Sequence, residues 1–226
     1  GWPRGMQSFL VDYWRFEDDD CTQPESPAWS QLRELIEDKE YTASDKVKYR
    51  LSTTFIDARY AYDTVCQFCA DYESGVYPIM GQDKAVGTAV TKEFSPFKTQ
   101  IGTDGFRITV NHYKDRLAPV LRRVWDQANG KQREYHFNVP VDLLDKQIKE
   151  LTVESRRKRT DAQGTVTYYW FRPTGVNNEL WDLLVYGHAT VEVMAWAVCI
   201  DFLGLDAVSW PMFWDHYEAM LEVPEV

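Results

Sequence analysis

The chain has 226 residues, 44% of them hydrophobic, and a formal net charge of -10. That length suits one well-buried domain, with room for an appendage. The N-terminal GWPRGMQSF lacks the basic and apolar regions of a secretory signal, and no apolar run reaches the ~20 residues of a membrane span, so the expectation is a soluble, intracellular protein.

Cys21, Cys66, Cys69 and Cys199 make no zinc pattern, since Cys66 and Cys69 lack a second pair, and they read as reduced, partly buried thiols. The charge is unevenly spread. Residues 114–159 hold 12 Lys or Arg against 7 Asp or Glu, a local +5 that leaves -15 for the rest. Its densest part is Arg156, Arg157, Lys158 and Arg159, which is either a stripe that tracks phosphates or a solvated charged loop.

In chain order, SFLVDYWRF at 8–16 has strand composition and runs into the acidic patch Glu17–Asp20. In WSQLRELIEDKEY at 29–41, Trp29, Leu32, Leu35 and Ile36 recur at helical spacing. RLSTTFID at 50–57 reads as a strand; Tyr62, Val65, Cys66, Cys69 and Tyr72 then share a helical face, and VYPIM at 76–80 is a strand that Gly81 ends. Residues 82–105 read as a loop. FRITVNH at 106–112 alternates as a half-buried strand, followed by a helix bearing Leu117, Leu121 and Val124. EYHFNVP predicts a short strand, VDLLDKQIKEL a helix, and TVTYYWFRP at 165–173 an aromatic strand after the turn DAQG, with the basic run inside a helix-to-strand connection. A helix over about 177–199 carries Leu180, Leu184, Val191, Met194 and Val198 as its apolar stripe.

Strands alternating with helices predict an α/β domain around a mixed central sheet. Neither GxGxxG nor GxxxxGK occurs, which argues against a motor or dehydrogenase site. Asp57 ends a strand, where open α/β sheets bind ligands. Glu179 and Asp182, three apart on one helix, share a face off the apolar stripe. Carboxylates gathered in this way suit Mg²⁺ or Mn²⁺, and two such ions activate water and stabilise the leaving oxygen of a phosphodiester. The same residues also fit helix capping and dipole complementation. His112 reads as a satisfied half-buried histidine, and Lys114 beside it as a phosphate contact; His136, His188 and His216 have no comparable context.

The order GWPRGMQSFLVDY, TTFIDARYAYDTVCQFC, FRITVNHYKDRL, EYHFNVPVDLLDKQIKELTVESRRKR and NNELWDLLVYGHA resembles the C-terminal nuclease domain of lambda-type large terminase subunits of tailed phages. The resemblance runs from residue 1 to about 195, and its most specific parts are the strand ending in Asp57 and the segment Asn178 to Asp182. It implies an RNase H-like nuclease domain over 1–200 and a metal-dependent endonuclease that cuts concatemeric double-stranded viral DNA during packaging. Implied with it are Asp57 and Asp182 as ligands of Mg²⁺ or Mn²⁺, Glu179 as a third or outer ligand, and Lys114 with Arg156, Arg157, Lys158 and Arg159 on DNA. The small terminase subunit and the portal protein are the implied partners, without a membrane, in the host cytoplasm.

The chain departs from the family in places. The family's first catalytic aspartate lies on a strand before the stretch matching Gly1 and Trp2, so the expectation is a truncated first strand, an absent ATPase motor and a fragment of low activity. Asp12 and the Glu17–Asp20 patch are not promoted to that role. The family's basic residue after VYPIM is replaced by Met80, with Lys84 a loose substitute. Other RNase H-like enzymes, such as resolvases or transposases, and a noncatalytic DNA or portal docking domain stay open. Past the resemblance, residues 201–226 hold six acids and no Lys or Arg, and Trp210, Phe213, Trp214, Tyr217 and Leu221 predict a short aromatic helix capped by Ser209.

Overall fold

The computed structural model describes residues 8–16, 20–43, 46–82, 93–122 and 137–221. They divide into two compact units, one drawn from residues 13–112 and the other from residues 1–12 and 113–226. Expected features at Glu17–Asp19, Lys84, Val124 and His136 lie outside the described residues.

The 13–112 unit is built on a four-stranded mixed sheet. Its strands are β4 (Thr54–Asp57), β5 (Val76–Gln82), β7 (Asp104–Thr109) and β6 (Phe94–Lys98), in that spatial order. β4, β5 and β7 run parallel and β6 is antiparallel to β7. Before them come β2 (Tyr41–Thr42) and β3 (Lys48–Tyr49), a small antiparallel pair. Helix α1 (Pro27–Glu37) starts as its sequence dictates, with the Ser26 side chain accepting from Ala28 N and Pro27 in the first turn. Its Trp29, Leu32 and Ile36 meet Val65, Phe68 and Cys69 of α2 (Tyr62–Ala70) and Ile56, Val76 and Met80 of the sheet. The Trp29 and Phe68 rings lie 4.9 Å apart, a pairing that adds about 0.5–1.5 kcal/mol to the apolar burial. Burial of Cys69 in this layer pushes its thiol up to about 12, so it stays protonated.

Three expectations change here. The stretch taken as loop contains β6, whose Ser95 and Pro96 hide its strand character; Pro96 is tolerated because β6 pairs on one side only among the described strands. β5 continues through Gly81 to Gln82, because Gly81 pairs with Ile108. β7 stops at Thr109, and Val110, Asn111 and His112 begin α3 (Val110–Leu121) instead of extending the strand. The helical spacing of Leu117 and Leu121 outweighs the short alternation before them. His112 Nε2 lies 2.9 Å from Glu93 Oε1.

The other unit holds a short parallel pair, β1 (Ser8–Phe9) with β8 (Phe137–Asn138), so the strand expected over 8–16 is reduced to its first two residues. Helix α4 (Asp145–Glu150) is followed by β9 (Ser155–Thr160) and β10 (Val166–Phe171), an antiparallel hairpin. The basic run is therefore a strand, not a connecting segment. The run Arg156, Arg157, Lys158, Arg159 offers no apolar period to read, and only the pairing with the aromatic strand makes it β. The hairpin closes where expected: Asp161 Oδ1 accepts from Gln163 N and Thr165 N, and Gly164 has φ +83°.

Helix α5 (Glu179–Trp196) buries Leu180, Trp181, Leu184, Val185, Ala189 and Val193. It passes into a π-helical segment, Ala197–Phe202. Together Glu179–Phe202 is long and apolar enough to cross a membrane by length and composition, against the expectation that no stretch is. Half of its most apolar 18-residue window is buried in the protein, and its Asp182 and Glu192 are ion-paired, as in the core helix of a globular unit. Helix α6 (Trp210–Leu221) forms where expected and packs Phe213 and Trp214 against Ala195 and Cys199.

Gly105 of β7 is demanded by packing. A Cβ there would meet the Phe97 ring at 2.7 Å and Pro78 O at 2.9 Å. Gly105→Ala is expected to destabilise the protein by about 1–3 kcal/mol through overpacking; a urea midpoint equal to wild type would show that β6 gives way freely.

Candidate functional site

The N-terminus of α5 is built into a buried polar cluster within its unit. The amides of a helix's first turn lack helical acceptors, and Asn178, the N-cap, does not satisfy them with its own side chain. Glu150 from α4 takes one of them in its place: its Oε2 accepts from Leu180 N at 3.0 Å, where the helix dipole also favours a carboxylate.

This frees the Asn178 amide for other work. Its Nδ2 donates to Glu154 Oε1 at 2.6 Å and to Asp182 Oδ2 at 2.7 Å, while its Oδ1 accepts from Arg172 at 2.6 Å. The two carboxylates tied together in this way converge on one cation. Lys114 of α3 places its Nζ 2.8 and 2.9 Å from the two oxygens of Glu154 and 2.9 Å from Asp182 Oδ1. The Lys114 side chain is only 7% exposed and Glu154 5%, against 33% for Asp182. Asp182 is thus the member of the cluster that meets solvent, and the buried members hold its orientation.

Neighbouring turns of α3 carry further charge. Glu192 of α5 accepts from the Tyr113 hydroxyl at 2.9 Å and pairs with Arg116. One turn before Glu192, His188 is buried, and burial, reinforced by the Arg116 charge, lowers its imidazole to about 3. Asp115 accepts from Trp170 Nε1 at 2.9 Å and pairs with Arg156 at 2.8 Å, which fastens the hairpin to α3.

Asp57 lies in the 13–112 unit as the exposed last residue of β4, and its Oδ1 accepts from Arg59 N at 3.0 Å, a capping turn at the strand end. Glu179 is the exposed first residue of α5 and does not share the surroundings of Asp182. Lys114, expected to contact phosphate, is instead buried as the counter-ion of Glu154 and Asp182. Arg156 to Arg159 are exposed on β9. Sequence reasoning missed Glu150, Glu154 and Asn178 as working parts. Glu150 and Glu154 stand four apart just before the basic run, but nothing in the sequence separates them from surface acids.

Carboxylate oxygens have the right donor chemistry for Mg²⁺ or Mn²⁺. Among the described residues, no group of three or more His, Cys, Asp or Glu is placed to hold a metal ion. Asp182 is instead compensated by the Lys114 ammonium.

Compared with known families, residues 1–201 match the model of the terminase large subunit gpA endonuclease domain. The chain belongs to this family. Terminase large subunits of this family act as endonucleases in DNA packaging, and α6 lies past the matched region. No curated protein and no solved structure matches the chain.

Removing the ammonium leaves two carboxylates facing each other without compensation. Lys114→Met is expected to cost about 3–5 kcal/mol, the range for breaking a buried pair from one side, and chemical denaturation checks it. A stability within experimental error of wild type would overturn this.

His188 gives a pH signature. Its folded value lies below the ordinary 6.5, so the unfolded chain takes up the proton first. Its contribution is fully present above about pH 6.5 and is lost as pH falls toward about 3, by about 1.4 kcal/mol per pH unit. His188→Gln should flatten the fall in denaturation midpoint between pH 6.5 and 4 relative to wild type; parallel curves for the two proteins would contradict this.

Proposed function

We propose that this chain is a divalent-metal-dependent endonuclease with an RNase H-like site, cutting concatemeric double-stranded DNA during viral genome packaging. The observation that carries the reading is the family match over residues 1–201. In it Asp57 and Asp182 are metal ligands, with Glu179 as an outer acid. When bound, two Mg²⁺ or Mn²⁺ ions would generate the attacking hydroxide and neutralise the leaving oxygen.

The protein's own part in this reading is electrostatic and positional. Lys114 and Asn178 hold Asp182 in one orientation, and Glu150 secures the first turn of α5 on which that acid stands. The basic strand β9 supplies charge for holding DNA on a chain that is otherwise acidic. The small terminase subunit and the portal are the proposed protein partners, and the host cytoplasm the setting. The acidic α6 is a docking candidate for the portal through its outer face, since its aromatic face is packed on its own unit.

One observation favours a second reading, a noncatalytic DNA or portal docking domain: Lys114 already compensates the carboxylates that a metal would need. A plasmid-nicking assay titrated with Mn²⁺ separates the two. In the metal-dependent reading, Asp57→Ala and Asp182→Asn each lower cleavage by about a hundredfold at saturating metal. Circular dichroism should stay at wild type for Asp57→Ala, whose side chain is exposed. Wild-type cutting rates in either variant would sink the ligand assignment, and a wild-type protein that binds DNA but never nicks it would favour the docking domain.

A further inference from the structure

The β9–β10 hairpin has two unlike faces. In an antiparallel pair, residues directly opposite share a face and alternate residues change face. The register pairs Arg156 with Trp170 and Lys158 with Tyr168, which places these four on one side; Arg157 with Tyr169 and Arg159 with Thr167 fall on the other. Two ring contacts agree, with Arg156 over Tyr168 at 4.8 Å and Arg157 over Phe171 at 3.5 Å, each a diagonal pair on a single face.

The first face is committed at its base. Arg156 and Trp170 both hold Asp115, and the Trp170 ring lies 6.0 Å from that of Trp181 in α5. Among the described residues the second face makes no such contact. Arg157, Tyr169 and Arg159 are exposed, and neither arginine has an acidic partner among the described residues. The Phe171 ring orients the Arg157 guanidinium, which reduces the freedom lost on binding a ligand. Each strand has six residues, about 20 Å in length, and a two-stranded ribbon is of a width that the major groove of duplex DNA admits.

We propose that this hairpin is a one-sided ribbon for duplex DNA, in which Arg157 and Arg159 contact phosphates and Tyr169 packs on the backbone, while Arg156 is a structural anchor that carries no DNA. The proposal rests on the reading of this chain as a DNA-cutting domain and separates Arg156 from Arg157 and Arg159 within a basic run that the sequence presents as four equivalent charges.

Fluorescence anisotropy with a labelled duplex in EDTA, measured over a series of salt concentrations, tests it without any cleavage step. The Arg157→Gln, Arg159→Gln double variant should bind more weakly and lower the slope of log affinity against log salt by about 1.8, or 0.9 for each lost phosphate contact. Replacing both with Lys should restore most of the slope. Arg156→Gln should leave the slope as in wild type. An unchanged slope in the double variant, or an equal loss in Arg156→Gln, overturns the proposal. So does wild-type protein that binds polyglutamate but not the duplex at low salt, which would assign the face to an acidic protein. Failure of the nuclease reading shows separately, as wild-type binding that responds to the hairpin variants without any Mn²⁺-dependent nicking.

Discussion

The Lys114 ammonium is the constraint on which the site-bearing unit depends. A charge this deeply withdrawn from water is tolerated only when its donors all find acceptors. Lys114 meets that demand with both oxygens of Glu154 and one of Asp182. The pairing joins α3 to the segment after α4 and to the first turn of α5, three stretches remote in sequence. Asn178 then cross-braces the two carboxylates, and Glu150 replaces it as acceptor for the Leu180 amide in the first turn of α5. Lys114, Glu154, Asn178 and Asp182 each bind two of the others, so these four are a single electrostatic object and not a set of separate bonds.

This arrangement bears on how an acid is prepared for chemistry. Asp182 is held from the buried side by two donors and open to solvent on the other, so its position is set before any ligand arrives. The Lys114 charge also reduces the repulsion that a carboxylate cluster would otherwise build up. In the proposed nuclease, that compensation would hold the carboxylates together without a metal, and Lys114 would compete with one for the same oxygens. The asymmetry of the hairpin follows the same economy: one arginine is consumed by Asp115 to fix the strand pair on α3, and those on the opposite face are left for a ligand.

Several cations of this acidic chain are oriented by aromatic rings. On β9 Arg156 and Arg157 stand over aromatic rings of β10, and on α1 Arg33 lies over Phe68 and pairs with Asp71. Aromatic platforms orient guanidinium groups without neutralising them. That distinction separates the exposed Arg157 from the fully compensated Lys114, although both are single positive charges in the same basic stretch of sequence.

Much of the architecture was legible in the sequence. Helical spacing located α1, α2, α5 and α6, the run ending in Asp57 predicted β4, and the turn before the aromatic strand placed β10, because apolar periodicity is a local record of which face will be buried. The family resemblance was carried by the segments around Asp57 and Asn178 to Asp182. Three things were decided by tertiary structure. β6 became a strand because β7 offered it a ladder, despite Pro96. The basic run became β9 because TVTYYWF folds back on it, a pairing that leaves no apolar period in RRKR. Lys114 became a buried counter-ion because α5 and the segment after α4 bring Glu154 and Asp182 to it. A sequence lists charges without their distances, and whether a lysine meets a phosphate or a carboxylate depends on which elements fold against it.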